Sequence, residues 1–77
     1  MSEQEFDKFY LTIIKNIRRE RENRNLSQLQ MSKEMDFQSS SFYAEAENGS
    51  SSKRFNLKHI FKIAKIFNIS INDLIKD

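Results

Sequence analysis

Few side chains in this sequence suit covalent or acid–base chemistry. Cysteine is absent and His59 is the single imidazole, so no thiolate is available, one histidine alone makes no metal site, and a serine nucleophile would have one candidate base. His59 sits beside Lys58 in a stretch of helical spacing, where it reads as a structural or surface residue or as a phosphate contact. Glu45 and Glu47 are two residues apart. On a helix they point in different directions and cannot act as a facing acid–base pair. Gly49 is the only glycine, which excludes a glycine-rich phosphate loop. No catalytic, metal-binding or cofactor-binding residues are expected, and an enzyme is excluded. What remains is a set of cations: Lys15, Arg18, Arg19, Arg21 and Arg24 crowd one segment, and Lys53, Arg54 and Lys58 cluster after Gly49. Their net excess is only +2, with a pI near 9.0, a balance compatible with a polyanionic partner without requiring one.

The elements that must position these groups are helical. The chain has 77 residues, no proline and one glycine. A chain this short makes one domain and buries only ~60% of its unfolded surface. Hydrophobic residues make up 38%, with seven phenylalanines, too many for a disordered chain. No apolar run approaches the ~20 residues of a membrane span. The N-terminus, MSEQEFDKFY, lacks the apolar centre of a signal peptide. A cytoplasmic protein with no membrane association is therefore expected.

Hydrophobic spacing predicts a first helix over residues 3–23, with Phe6, Phe9 or Tyr10, Ile13 and Ile17 on one face. Ser27 is a suitable N-cap for a second helix over residues 28–35. Asp36-Phe37-Gln38 interrupts the pattern, and Ser39-Ser40-Ser41 opens a third helix reaching Asn48. Gly49 suits a left-handed residue just past its end. GSSSKR, residues 49–54, reads as a flexible loop. Asn56 caps a fourth helix whose apolar face is Leu57, Ile60, Phe61, Ala64 and Phe67. Ser70 and Asp73 form a box-like start to a last short helix carrying Ile71, Leu74 and Ile75.

Leu26-Ser27-Gln28, then Ser32, then Ser39, Tyr43, Ala46 and Glu47-Asn48-Gly49 follow the order of a known motif. From about Ile13 to Ile75 the chain resembles the λ-repressor-like, xenobiotic-response-element (XRE) family of DNA-binding proteins. The resemblance implies an all-α, compact five-helix domain over residues 1–77, with the helix-turn-helix at the second and third helices and residues 1–9 as an N-terminal extension of the first. It implies that Ser40, Ser41, Ala44 and Glu45 face bases in the major groove, with Gln38, Ser39 and Phe42 nearby; Phe42 reads either as core or as a stacking contact. By the same resemblance Gln28 braces a phosphate or base contact, and Asn48, Lys53, Arg54 and Lys58 hold the DNA backbone. Arg21 and Glu47 are implied as an ion pair tying the first helix to the third. Glu20 occupies a position where the family usually has leucine, so either the first helix is rotated slightly or Glu20 pairs with a neighbouring arginine. Double-stranded operator DNA is the expected partner and a homodimer the expected state, with no small-molecule effector domain. Ile71, Leu74 and Ile75 are the expected dimerisation residues, with Phe6, Phe9 and Tyr10 as the alternative surface. The rival reading is a protein-interaction module, antitoxin-like, on the same fold with weak or no DNA binding.

Overall fold

The start of each helix is fixed by a side chain that accepts otherwise unpaired N–H groups. In the computed structural model, which describes residues 2–77, five helices follow in order: α1 (Glu3–Asn23), α2 (Gln28–Glu34), α3 (Ser40–Glu47), α4 (Leu57–Phe67) and α5 (Asn72–Ile75). No strand occurs among the described residues. Ser2 Oγ accepts from Glu5 N–H at 3.1 Å. Ser27 and Gln30 form a reciprocal capping box on α2, as do Asn56 and His59 on α4. Ser39 Oγ accepts from Ser41 N–H at 3.3 Å. Ser70 and Asp73 bracket α5: Ser70 Oγ accepts from Asn72 N–H, and Asp73 Oδ2 from Ser70 N–H, at 3.0 and 3.2 Å. The second and third helices each stop one residue short of expectation, because Met35 and Asn48 serve as C-caps.

The ends of the first four helices share one device. Asn25, Asp36 and Asn68 hold left-handed φ values of 57°, 60° and 57°, and Gly49 holds 93°. At each, successive N–H groups turn back onto the last carbonyls, as where Gly49 N–H reaches Ala46 O at 3.4 Å and Ser50 N–H reaches Glu45 O at 3.0 Å. Asparagine and aspartate tolerate this conformation better than other side chains. Replacing Asn25, Asp36 or Asn68 by alanine is therefore expected to cost about 1 kcal/mol each, or a fall in Tm of roughly 4–8 °C for a domain this small. Thermal melts followed by circular dichroism check this.

The core joins Ile13, Ile14 and Ile17 of α1 to Met31, Met35, Tyr43, Ala46, Ile60, Ile63, Ala64, Phe67 and Leu74. Two expectations for α4 are corrected. Leu57 is 77% exposed and Phe61 53% exposed, so neither belongs to the buried face. Ile63 takes that face instead, completely buried one turn after Ile60. Leu74 also departs from its expected role: it is completely buried and fills the core against α1, so it is unavailable to a second chain. Asn16, buried on α1, donates through Nδ2 to Leu74 O at 2.9 Å and Lys76 O at 2.7 Å, which holds the four-residue α5 in place. Of the two alternatives for Glu20, pairing with an arginine is the one seen: Arg24 lies 2.7 Å away. Arg24 also donates to Phe67 O at 2.9 Å, so this pair fastens the end of α4 where leucine would only have packed.

Candidate nucleic-acid interface

A completely buried carboxylate, Glu47 at the last turn of α3, locks the helix pair. Its Oε1 accepts from Arg21 Nε at 2.8 Å and from the Tyr43 hydroxyl at 2.9 Å. Its Oε2 accepts from Arg21 Nη2 at 3.0 Å, Gln28 Nε2 at 2.7 Å and, more weakly, Arg18 Nε at 3.4 Å. The Arg21 contact is bidentate, the strongest form of such a pair. Burial alone would raise the Glu47 pKa, but hydrogen bonds from Arg21, Gln28 and Tyr43 outweigh it and hold the carboxyl below its ordinary range. The Glu47 hydrogen bond raises Arg21, while burial and then the Glu47 charge push the Tyr43 phenol up. One carboxylate thus joins α1, the start of α2 and α3.

This arrangement changes the picture of Gln28. Its amide donates to Glu47 and, at 3.2 Å, to Asn48 Oδ1. Both N–H groups are directed at protein. Asn48 Oδ1 also accepts from Arg18 Nη2 at 2.7 Å. Arg18, which the motif did not single out, is therefore part of the lock.

The other expected site residues separate into two sets. Ser40, Ser41 and Glu45 are exposed along one side of α3, and Ala44 between them is half-buried. Gln38 and Ser39 are exposed at its N-terminal end, with the Ser39 and Ser41 hydroxyls 2.7 Å apart. Phe42 faces the other way. Its ring lies edge-on to Phe37 at 5.0 Å, His59 at 5.5 Å and Phe55 at 6.4 Å, and it packs, half-buried, against the core. His59 completes that cluster and accepts Asn56 N–H on Nδ1 at 3.1 Å. Burial first, then Lys62 and Lys58, lower its pKa.

Lys53 and Lys58 are exposed and carry no ion pair among the described residues. Arg54 is different: its Nη2 lies 3.0 Å from Asp7 Oδ1 on α1, in a partly exposed ion pair. Within the loop of residues 49–54, Ser50 Oγ accepts from Ser52 N–H and Lys53 N–H, each at 3.2 Å.

Two short helices locked at a tight turn, the second presenting polar side chains outward, define a helix-turn-helix DNA-binding domain. The helix-turn-helix family pattern matches residues 17–74, and the chain belongs to that family in its λ-repressor-like, XRE form. Neither curated proteins nor solved structures provide a match to it. Family members are DNA-binding regulatory domains and not typically enzymes. Among the described residues no helix is long and apolar enough to cross a membrane.

Proposed function

We propose that this chain is a small transcriptional regulator, of the repressor or controller type, that reads double-stranded operator DNA with α3 in the major groove. The observation that carries this reading is the outward face of α3. Ser40, Ser41 and Glu45 stand exposed on a helix whose pose is fixed by the Glu47 lock, and the unpaired cations Lys53 and Lys58 lie beyond its C-terminal end. Serine hydroxyls donate or accept at base edges, glutamate accepts from the cytosine amino group, and Ala44 suits a thymine methyl. Lysines supply the sequence-independent backbone attraction.

The regulator acts as a two-fold dimer in this proposal, with half-sites about one helical turn apart. Ile71 and Ile75 are half-buried and contribute one part of the proposed surface. Phe61, which lines a shallow groove with Ile69 and Ile71, and Leu57 contribute the rest. The second reading, a protein-interaction module, draws on those same exposed apolar side chains and on the absence of any arginine on the outward face of α3.

Selection of bound sequences from a random DNA pool tests the proposal and returns the operator. Lys53→Ala and Lys58→Ala are each expected to weaken binding to all sequences and to flatten the salt slope by roughly one unit. Unchanged slopes, measured by titration at several salt concentrations, would remove these lysines from the interface.

A further inference from the structure

The loop between α3 and α4 is fastened to the first turns of α1 at two places. The Tyr10 hydroxyl donates to Ala46 O at 3.0 Å and accepts from Phe55 N–H at 3.1 Å. One buried phenol therefore joins the last turn of α3 to the far end of the loop. Arg54 makes the second attachment. Its guanidinium pairs with Asp7 at 3.0 Å, lies 4.9 Å from the Tyr10 ring centre and 5.6 Å from that of Phe6, and donates through Nε to Ser50 O at 3.4 Å. Phe6 and Tyr10 are themselves stacked, 6.5 Å apart.

Phe6, Asp7 and Tyr10 all precede residue 17, where the family pattern begins, so the α1 side of this fastening is built by residues outside the matched region. Asp7 is half exposed in its pair with Arg54, and exposed ion pairs add little to global stability. Locally the effect is larger, because the contacts restrict a serine-rich segment that would otherwise sample many conformations. That segment carries Lys53. A loop already in its bound pose avoids an ordering cost on association.

We propose that the first turns of α1 act as a brace for the DNA-contacting loop, with Phe6, Asp7 and Tyr10 as positioning residues and Arg54 as the anchor they grip. The role of Arg54 is thus to hold Lys53 in place, without contacting phosphate. This inference rests on the DNA-binding reading above.

The test uses Asp7→Asn, Phe6→Ala, Tyr10→Phe and Arg54→Ala in the full chain, with two readouts. Amide hydrogen exchange in the free protein is expected to speed up over residues 50–55 in all four variants, while the amides of α2 and of the first turns of α3 keep wild-type rates. Affinity for the selected operator is expected to fall about tenfold, the equivalent of one or two side chains to be ordered anew. The salt slope stays at the wild-type value, because no phosphate contact is lost, and Asp7→Glu restores both readouts. A slope reduced by about one unit in Arg54→Ala, or tighter binding by Asp7→Asn, would overturn the proposal and make Arg54 a phosphate contact that Asp7 restrains. Unchanged exchange over the loop would overturn the brace without reference to DNA. If the wild-type chain binds no DNA, the positioning role falls with the DNA-binding reading, and exchange alone decides whether the brace exists.

Discussion

Arg21→Ala and Glu47→Ala are each expected to lower the unfolding free energy by ~3–5 kcal/mol, the cost of leaving one partner of a buried ion pair without the other. At roughly 0.05–0.15 kcal/mol per residue, this is a large share of the stability available to so small a domain. Loss of Arg21 leaves a completely buried carboxylate with the neutral donors Gln28 and Tyr43 and, as its remaining cation, only Arg18, whose side chain is 44% exposed and 3.4 Å away. Loss of Glu47 leaves the Arg21 guanidinium, the Tyr43 hydroxyl and the Gln28 amide without their shared acceptor. Urea titration of the two variants measures the cost, and melting temperatures equal to wild type in both would show that the pair adds nothing. The same carboxylate sets the acid limit. Its folded pKa lies below the ordinary value of 4.5, so below that value the unfolded state binds more protons than the folded one. The Glu47 contribution is complete above about pH 4.5 and is lost as pH falls through the folded pKa. Glu47→Gln should flatten the acid arm of the stability profile.

Ser41→Asp is expected to separate folding from DNA binding most sharply. Ser41 is exposed in the first turn of α3, a turn that contains no acidic residue. A carboxylate there favours the helix N-terminus by ~0.3–1 kcal/mol, so the melting temperature should hold or rise slightly. Against DNA the same charge faces phosphates and base edges. Like-charge opposition costs several kcal/mol, so affinity should fall about 100-fold or more. Titration of the selected operator, paired with a thermal melt, gives both numbers. Wild-type affinity in Ser41→Asp would mean that α3 does not enter the groove.

Local chemistry made most of the helical framework legible. Ser27, Ser39, Asn56 and Ser70 announce helix starts because capping involves residues three or fewer positions apart, and Gly49 announces a left-handed turn because no other residue type adopts it so freely. Asn25, Asp36 and Asn68 serve the same purpose less visibly, since asparagine and aspartate have many other uses. The Arg21–Glu47 pair came through resemblance to a family, not through spacing. Contacts between distant segments were not legible. Nothing local directs the Gln28 amide onto Glu47, the Arg54 guanidinium onto Asp7, or Asn16 onto the carbonyls of α5. Leu57 and Phe61 fit the apolar stripe of α4 by spacing, yet both stand exposed at its edge, because spacing does not say how much of a stripe the rest of the fold covers. Leu74 was misplaced for the opposite reason: on a four-residue helix, spacing alone does not say which side faces inward.

The Glu47 lock and the outward face of α3 share a helix but almost no interactions. The Ser41 hydroxyl is paired within its own segment, to Ser39, while Glu47 turns its carboxylate toward α1 and α2. On the proposed function, stability and sequence preference are therefore written in separate residues of one eight-residue helix. In evolutionary terms the domain is modular. If α3 reads operators as proposed, Ser40, Ser41 and Glu45 are open to drift toward new ones with little thermodynamic penalty, whereas change at Arg21, Gln28, Tyr43 or Glu47 removes the frame on which any operator would be read.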